Sequence, residues 1–393
     1  MRAELNGSEC AIVAGIDLNG LGVLRALGGV GVPIVALDTD LQKPTLATRF
    51  GQKLPIRALS GSVFVDELLE LRHRFKCNPV LILTQEASVA TVSAERDRLS
   101  SAYRFIMPGH VLMEALLDKL KFQTLAERYG FPIPNAIRLN DSENVAGVRD
   151  LRFPCVMKPL TKHAEHARRF GKAYKVADAQ DVAGVWPAMR EVIEEIIVQE
   201  WIEGKDSDVY FCLQYRPATG RPSLSFVGRK ICQWPPMVGG TASCIPAPEA
   251  AAALTDLTNG FFDTVGFVGI GSMEYKRDQR DGRFYMVEPT VGRTDYQEEV
   301  ATLNGVNIPF AAFCDAVGQP LPAPVAVAPP RAWRDPIGYA RARMAGAPDP
   351  MLQFAPGIRI VDAYFRRDDA MPYVALKFQA LKRRLSRVMG RHA

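Results

Sequence analysis

Residues 271–293 read GSMEYKRDQRDGRFYMVEPTVGR and are the most informative segment for the fold. Two runs of strand-forming residues flank the turn dipeptide Asp281-Gly282, which predicts a β-hairpin. The hairpin carries Glu274 and Glu288 on its two strands. Facing carboxylates repel each other unless a cation lies between them, and Mg²⁺ is commonly held by one or two carboxylates together with substrate phosphates. The hairpin therefore indicates a metal–nucleotide platform.

A plain surface ladder is the structural alternative for this hairpin, because Lys276 and Arg277 lie next to the acids in sequence. Glu288, however, follows the apolar run Tyr-Met-Val. An acid placed that deeply is costly unless something compensates its charge. The pattern favours the metal site over the ladder.

The composition is that of an ordinary soluble globular protein. The chain has 393 residues, of which 48% are hydrophobic and 23% charged, so it is long enough for two or three domains. It has no apolar run of about 18 residues, and its polar N-terminus lacks the apolar core of a signal peptide. The seven cysteines are scattered and form no Cys-x-x-Cys motif. These features predict a reduced, cytoplasmic protein without a disulfide framework or a zinc knuckle.

The net charge of +5 is concentrated at the C-terminal end. Residues 377–393 contain no acid and six basic residues, which are Lys377, Lys382, Arg383, Arg384, Arg387 and Arg391. The rest of the chain is therefore close to neutral, which excludes a basic nucleic-acid-binding surface. A helix predicted over residues 372–391 aligns an apolar stripe made of Phe378, Leu381, Leu385 and Val388. Such a helix docks on its own fold, frays, binds an acidic partner or lies on an anionic membrane, and the sequence leaves these alternatives open.

Residues 8–108 alternate strand and helix patterns, which predicts a doubly wound parallel sheet. The Gly-rich turn from Gly15 to Gly22 follows the first strand, and Asp38 ends the second strand about 20 residues later. This arrangement is near a dinucleotide-binding fingerprint, although its spacing is not G-x-G-x-x-G. An NAD(P)-dependent oxidoreductase is therefore an alternative function for the chain.

Short charged motifs follow one another along the remainder of the chain. They are Asp118-Lys119, Lys158-Pro159, Gln199-Glu200-Trp201-Ile202-Glu203-Gly204, Arg229-Lys230, Glu274, and Glu288 with Arg293. In this order and spacing they resemble the ATP-grasp superfamily, and most closely its carboxylate–amine ligases. The resemblance covers about residues 10–315. Each motif is weak alone, and their common order makes the resemblance specific.

The resemblance implies a fold of α/β and α+β parts. A Rossmann-like pre-ATP-grasp domain is expected at residues 1–108, followed by a two-subdomain ATP-grasp fold. Its subdomain A is expected at residues 109–195 and subdomain B at 196–316. Residues 317–393 are expected to form a linker and a basic C-terminal extension, because residues 317–336 are rich in Pro and Ala. A homodimer through the first domain would be consistent with such a protein.

The resemblance also implies which residues bind ATP. Lys158 ends a buried strand, where an ammonium acts as a compact charge for a phosphate. The strand that ends at Glu200 matches the hinge against which the adenine lies, and Glu203 matches an acid that binds ribose hydroxyls. The complete implied nucleotide set is Lys119, Lys158, Lys172, Glu200, Trp201, Ile202 and Glu203.

The metal and catalytic residues implied by the resemblance lie further along the chain. Glu274, Glu288 and Thr290 are expected to hold Mg²⁺, with two ions on the ATP phosphates. Arg229 and Lys230 are expected to neutralise the transferred phosphoryl group. The flexible loop at residues 239–241 offers backbone N–H groups to a phosphate. The planar fork of Arg293 suits a carboxylate or an acyl phosphate.

The chain departs from the family pattern in two places. The family ends its metal motif with Glu-x-Asn-x-Arg, whereas here Thr290 replaces the Asn and Arg293 lies one residue later. The loop after Lys158 is basic and poor in glycine, where the family often has Gly and Ser. The cations Lys162, Arg168 and Arg169 are candidates to replace the backbone N–H groups of that loop, and Lys172 is a candidate for a second phosphate-binding lysine. Its histidines, His163 and His166, lack a third ligand for a zinc site.

The function implied by the resemblance is an ATP-dependent, ADP-forming ligase. It joins a small-molecule carboxylate to a small-molecule amine through an acyl phosphate, and no protein nucleophile is required. The departures at Thr290 and at the loop after Lys158 support an alternative, which is a nucleotide-binding regulatory module with weakened catalysis. The sequence does not identify the acid, the amine or the oligomeric state.

Overall fold

The computed structural model describes residues 9–140, 143–160, 163–171, 173–218, 220–347 and 357–389. Three cations singled out above, Lys162, Lys172 and Arg391, lie outside the described residues, as do the side chains of Arg384, Arg387 and Val388.

The N-terminal part is built on a parallel sheet with the strand order β3-β2-β1-β4. Its elements are β1 (Ala11–Ala14), α1 (Leu18–Gly28), β2 (Ile34–Asp38), a 3₁₀ helix (Pro44–Ala47), β3 (Gln52–Pro55), α2 (Gly61–Arg72), β4 (Val80–Leu83), α3 (Glu86–Ala94) and α4 (Arg96–Leu99). Strand β1 pairs in parallel with both β2 and β4, and every residue of it is buried. A strand covered on both faces reads as a continuous apolar run, as this one does. The predicted parallel sheet is confirmed.

The second part holds an antiparallel sheet with the order β5-β8-β6-β7. Its elements are α5 (His110–Leu117), α6 (Lys119–Arg128), β5 (Ala136–Leu139), a 3₁₀ helix (Glu143–Asp150), β6 (Cys155–Pro159), α7 (Ala164–Phe170), β7 (Tyr174–Val176), α8 (Ala179–Arg190) and β8 (Ile196–Glu200). Asp118 caps α6 by accepting hydrogen bonds from two backbone N–H groups of its first turn. Strand β8 lies between β5 and β6, so the boundary expected at residue 196 falls inside this sheet.

The third part is one large sheet with the order β13-β12-β9-β10-β11-β14-β15. Its elements are a 3₁₀ helix (Asp206–Asp208), β9 (Val209–Arg216), β10 (Leu224–Trp234), β11 (Gly240–Pro246), a 3₁₀ helix (Pro248–Ala250), α9 (Ala251–Val265), β12 (Gly269–Arg277), β13 (Phe284–Val291), α10 (Glu299–Leu303), α11 (Ile308–Ala316), β14 (Arg331–Arg334), α12 (Pro336–Met344), β15 (Arg359–Asp362) and α13 (Met371–Met389). The predicted hairpin is β12–β13.

The C-terminal extension is part of this sheet. Strand β14 pairs with β11, and β15 pairs with β14, so the prediction that residues 317–336 are linker is wrong for β14. The pairing places Trp333, whose ring is fully buried, against the body of the protein. Its indole N–H donates to Glu299 Oε2 at 3.1 Å.

A buried ionic cluster joins the first domain to the extension. Arg25 on α1 contacts Glu299 at 3.1 Å and Asp369 at 2.9 Å, and Arg366 contacts the same Glu299 at 2.9 Å. Both carboxylates are almost completely buried, and each has a cation within ion-pair distance. Removing one partner of such a buried set leaves an uncompensated charge, which makes the cluster a strong constraint on how the extension docks.

Candidate active site

A cleft of about 770 Å³ lies between the β6–β8 sheet and the β12–β13 hairpin. Strands β6 and β8 form one wall, and the hairpin together with the ends of β10 and β11 forms the other. The cleft brings together most of the residues singled out from the sequence. Those that line it are Lys119, Lys158, Glu200, Trp201, Ile202, Lys230, Glu274, Glu288, Thr290 and Arg293.

The two hairpin carboxylates are direct neighbours across the strands. The register pairs Glu274 with Glu288 and then Tyr275 with Met286, so Val287 is an extra residue that forms a bulge. A bulge of this kind re-aims side chains and is frequent beside active sites. Directly paired residues share one face of the sheet, so both acids line the cleft, although Glu288 is exposed and not deeply buried as its apolar run predicts.

Glu274 has a cation as its nearest partner. The Lys230 ammonium lies 2.6 Å from Glu274 Oε2 and 3.2 Å from Gln233 Oε1, and the lysine is almost completely buried. Burial raises the pKa of the Glu274 carboxyl above its ordinary value, Lys230 opposes the rise, and the nearby Glu288 adds to it. The two paired acids therefore share one ammonium, while Lys276, Arg293 and Asp295 also line the cleft.

Thr290, which stands where the family has Asn, is held by an acid that the sequence analysis missed. Its hydroxyl donates to Asp295 Oδ1 at 3.0 Å, and Ser272 Oγ donates to Asp295 Oδ2 at 2.7 Å. Gln297 Nε2 contacts the same Oδ2 at 3.3 Å. Asp295 also lines the cleft and raises the pKa of Glu274. The only sequence signal was an acid two residues after Arg293.

The donor set of this wall fits Mg²⁺ bound together with a polyphosphate. Among the residues that the structure describes, no cluster of three or more His, Cys, Asp or Glu side chains could hold a metal alone. Mg²⁺, however, usually takes only one or two carboxylates and completes its shell with substrate phosphates and water. Glu274 and Glu288 supply two such carboxylates, and their mutual repulsion is the cost that a bound cation would remove.

On the opposite wall, Lys158 is a lysine whose pKa is lowered by its surroundings. Lys158 Nζ donates to the side-chain oxygen of Gln199 at 2.7 Å, and Gln199 in turn donates to Gln123 Oε1 at 3.0 Å. Burial, and then the nearby Lys119 ammonium, lower the pKa of Lys158 to about 8, and the Glu288 carboxylate opposes the shift. Lys158 is therefore a cation held next to another cation, an arrangement that an incoming phosphate stabilises.

Glu200 and Trp201, which the sequence predicts for an adenine hinge, line the cleft and have protein partners of their own. Glu200 Oε1 accepts from Asn135 Nδ2 at 3.1 Å and from the backbone N–H of Arg152 at 2.9 Å. Trp201 lies between two ammonium groups, with Lys175 Nζ 5.0 Å and Lys276 Nζ 4.5 Å from its ring centroid. These contacts hold the side chains of Glu200 and Trp201 in position.

Glu203 lies beside the cleft and does not line it. It forms an ion pair with Lys175 at 3.3 Å. Arg168 and Arg169 likewise form exposed ion pairs, with Glu165 and Glu191. The structure therefore brings none of these predicted ligands into the cleft.

The structure separates the predicted pair Arg229 and Lys230. Neighbouring residues of a strand point to opposite faces of a sheet, so only one of them can face the cleft. Lys230 does so, whereas Arg229 lies outside the cleft lining and pairs with Glu249 at 3.5 Å. The structure therefore brings Lys230, and not Arg229, into the cleft.

The predicted Gly-Gly-Thr segment is partly strand, because β11 begins at Gly240. The turn before it is anchored by Asp206, whose carboxylate accepts from the backbone N–H groups of Gln233 at 2.9 Å and Met237 at 2.8 Å. At Gly239 a side chain would collide with the carbonyl of Trp234 at 2.2 Å, so the tight turn requires glycine. The turn and Thr241 line the cleft.

A second cavity of about 380 Å³ adjoins the first domain. Asp17 and Lys43 line it from the Gly-rich turn and the loop after β2, and Arg293 lines both this cavity and the cleft. Arg293 Nη1 donates to the carbonyl of Thr294 at 3.1 Å, and its buried Nε has no hydrogen-bond partner in the described structure. Arg293 is thus a cation at the junction of the two spaces.

The Gly-rich turn is not arranged for a dinucleotide. Asp38 Oδ2 accepts from the backbone N–H of Ile16 at 2.7 Å and from Lys43 Nζ at 2.9 Å, so the acid that would bind a ribose is engaged by the protein. A side chain at Gly20 would lie 2.2 Å from the carbonyl oxygen of Gly15, which shows that the turn closes on itself. These contacts argue against the NAD(P) alternative.

Comparison with known proteins agrees with this geometry, although no protein-family model matches the chain. D-aspartate ligase of Enterococcus faecium is 23% identical over 329 residues, which cover 78% of this chain and 76% of that protein. The structure of N5-carboxyaminoimidazole synthetase from Staphylococcus aureus complexed with ADP gives a TM-score of 0.64 at 14% identity, covering 83% of this chain and 82% of that one.

The biotin carboxylase domain of the 2-oxoglutarate carboxylase of Hydrogenobacter thermophilus, in complex with MgADP, ADP and bicarbonate, gives a TM-score of 0.63 at 14% identity. The match covers 81% of this chain and 72% of that one. Structural likeness at this identity establishes the fold, and the similarity to D-aspartate ligase extends over most of the sequence. The order of the charged motifs, the two-walled cleft and these likenesses agree: the chain has the fold of the ATP-grasp enzymes and resembles a carboxylate–amine ligase over most of its sequence.

Proposed function

We propose that the chain is an ATP-dependent ligase that joins a carboxylate to an amine through an acyl phosphate. The observation that carries the proposal is the cleft itself, where Lys158 on one wall faces the paired acids Glu274 and Glu288 on the other. A polyphosphate needs cationic contacts on its oxygens and a divalent cation that bridges them. This cleft supplies the lysine and the metal-binding acids on opposite sides of one space.

Glu274, Glu288 and Thr290 are the residues that would hold Mg²⁺. When bound, the metal supplies charge neutralisation for the β- and γ-phosphate oxygens. Lys158 contributes a point charge to the same phosphates, and Lys230 keeps Glu274 in place through its 2.6 Å contact. Asp295 orients the Thr290 hydroxyl through their 3.0 Å hydrogen bond.

The acid substrate is proposed to lie between the two cavities, against Arg293. A guanidinium presents donors in a planar fork, which matches a carboxylate and later the acyl phosphate. The side chain has one buried N–H without a partner, so a ligand oxygen there would satisfy it. The name of the E. faecium relative makes D-aspartate the first acid to test.

The proposed reaction has two steps. A carboxylate oxygen of the acid attacks the γ-phosphorus of ATP, the bond from that phosphorus to the bridging oxygen breaks, and ADP leaves. The amine then attacks the acyl carbon, inorganic phosphate leaves, and the amine nitrogen loses a proton as the amide forms. The protein contributes position and charge, which are the main terms in phosphoryl transfer.

The test has a binding stage and a turnover stage. Thermal unfolding of the purified protein is measured with ATP, ADP, NAD⁺ and NADPH, each with and without Mg²⁺, for the wild type and for Glu288→Gln. Saturable stabilisation by Mg·ATP that weakens in the variant supports the cleft as the ATP site. Stabilisation by a nicotinamide nucleotide alone contradicts the proposal.

Turnover is then measured as phosphate release from ATP with D-aspartate and with other small acids, in the presence of amines. Release that needs both an acid and Mg²⁺ supports the ligase. Binding of Mg·ATP without release across a broad panel of acids favours instead the regulatory module with weakened catalysis. The two stages therefore separate loss of binding from loss of chemistry.

A further inference from the structure

The last helix, α13, has an apolar stripe that the fold leaves uncovered. Its members are spaced by three and four residues, and each is about half exposed or more: Met371 55%, Val374 51%, Phe378 67%, Leu381 54% and Leu385 54%. A helix that packs on a globular body normally turns such a stripe inward. In α13 the stripe faces outward, and no proposed role of the cleft uses it.

The opposite side of α13 is the docked one. Pro372 is buried, and Gln379 Nε2 donates to the carbonyl of Gln42 at 2.6 Å, which places this side against the 3₁₀ helix at Pro44–Ala47. At about 100° per residue, the centre of the docked side is roughly 130° from the centre of the apolar stripe. The helix is therefore anchored to the first domain while it presents its apolar face to the surroundings.

Cations border the stripe on both sides. Lys377 and Lys382 are exposed and lie within about 80° of the stripe on opposite flanks. The sequence from residue 371 to 393 contains no acid, and Arg383 adds a further exposed cation. An apolar stripe with lysines on both borders is the arrangement of a helix that lies flat in an interface, with its ammonium groups at the level of the lipid headgroups.

The same charges disfavour a second copy of this chain as the occupant. Two α13 helices meeting through their stripes would bring Lys377 and Lys382 of each copy near those of the other, with no acid on either helix to pair with them. An anionic surface has the complementary charge. Among the described residues, no helix has the length and apolar character needed to cross a bilayer.

We propose that α13 is a membrane-surface helix that binds anionic phospholipid through its apolar stripe and its bordering lysines. The proposal does not depend on the ligase activity, because the stripe residues and the cleft lining do not overlap. Each cation near an anionic surface contributes about a fivefold gain in partitioning. One helix of this size gives reversible binding that weakens as salt is raised.

The experiment uses the full chain and two sets of vesicles, one of phosphatidylcholine alone and one of phosphatidylcholine with phosphatidylglycerol. Cosedimentation is measured at low and moderate salt. The wild type is expected to bind the phosphatidylglycerol vesicles and to leave the neutral ones largely free. The double variant Lys377→Gln with Lys382→Gln is expected to lose about 30-fold in partitioning, and Phe378→Gln with Leu381→Gln is expected to reduce it to background.

The matched control is Met344→Gln, which alters an apolar side chain that is 81% exposed on α12, outside the stripe. It should bind vesicles as the wild type does. Thermal stabilisation by Mg·ATP is measured on every variant, so that loss of nucleotide binding is distinguished from loss of vesicle binding. Absence of vesicle binding by the wild type overturns the proposal, as does equal binding by the wild type and both double variants. A doubled mass in ultracentrifugation that Phe378→Gln with Leu381→Gln abolishes, without vesicle binding, assigns the stripe to a second copy instead.

Discussion

The two walls of the cleft stabilise their central ionisable groups differently. On the β6–β8 wall, the Lys158 ammonium contacts a neutral amide, Gln199, and lies near a second lysine, Lys119, with its pKa lowered to about 8. On the hairpin wall, Glu274 has a full counter-charge in Lys230 at 2.6 Å, and Glu288 is its strand neighbour.

The difference indicates what each wall still lacks. The lysine wall holds positive charge at an electrostatic cost, which an anion would remove. On the hairpin wall two adjacent carboxylates, Glu274 and Glu288, share one ammonium, and a divalent cation would relieve their repulsion. A magnesium–polyphosphate complex would compensate both at once, with its oxygens toward Lys158 and its metal toward the acids. Perturbed ionisable groups on facing walls are typical of functional sites.

The hairpin wall is expected to be the more sensitive of the two. Glu274→Gln and Glu288→Gln keep the shape of the side chain, and each removes one of the charges proposed to hold the metal. We expect either change to lower ATP-dependent phosphate release by about a thousandfold, the size seen when a main electrostatic contact to a transition state is lost. Steady-state phosphate release at saturating Mg²⁺ measures the effect.

The matched control for this prediction is Glu249→Gln. Glu249 is an exposed acid that pairs with Arg229 outside the cleft, so its loss should leave turnover nearly unchanged. Wild-type turnover in Glu274→Gln, or an equal loss in the control, would contradict the role assigned to the hairpin.

Lys158 is expected to give the next largest effect and a characteristic pH dependence. Lys158→Met should lower kcat/KM for ATP by about a hundredfold, because a charged contact to phosphate is lost. In the wild type the ammonium is present below its pKa of about 8 and is lost above it. Since kcat/KM reports ionisations of the free enzyme, it should fall as the pH rises through about 8.

Lys158→Arg tests the cause of that pH dependence. Arginine stays protonated throughout the accessible range, so this variant should retain measurable activity and lose the decrease above pH about 8. A pH profile identical to that of the wild type would assign the ionisation to another group. The profile is measured with a saturating acid substrate and limiting ATP.

Asp295, which also belongs to the hairpin wall, is expected to give a smaller effect than Glu274 or Lys158. It orients Thr290 and does not pair with Glu274 directly, so Asp295→Asn should weaken the metal site rather than abolish it. We expect the Mg²⁺ concentration for half-maximal activity to rise by about tenfold, the lower end of what outer-shell partners contribute. The readout is a Mg²⁺ titration at saturating ATP, and an unchanged midpoint with lower kcat would contradict a positioning role.

The parts of this molecule that were predictable from sequence are those set by neighbouring residues. The β12–β13 hairpin follows from a turn dipeptide between two strand-forming runs, and β1 follows from a continuous apolar run. The ATP-grasp resemblance came from the order of short motifs. These signals depend on neighbouring residues or on the order of motifs along the chain. The structure confirms the hairpin and the strand.

The parts that were not predictable depend on contacts between distant residues. Strand β8 joins its sheet by pairing with β5 and β6, and its own residues do not determine these partners. Strand β14 is a short run bounded by arginines, and its place is set by β11 and by the burial of Trp333. Asp295 was missed because its link to Ser272 exists only in three dimensions.

The smallest effect on turnover is expected at Arg229, although its sequence neighbour Lys230 should give one of the larger effects. Lys230 faces Glu274 inside the cleft, whereas Arg229 points to the other face of β10 and pairs with an exposed acid. Arg229→Gln should therefore change kcat/KM by less than about twofold, since an exposed ion pair contributes little. Lys230→Gln should lower it by about a hundredfold, because the half-buried Glu274 would lose the counter-charge of a lysine that is itself almost completely buried. The two variants are compared in the same phosphate-release assay. Equal losses would mean that β10 twists in the loaded enzyme and brings Arg229 to the phosphates, as the sequence motif alone suggests.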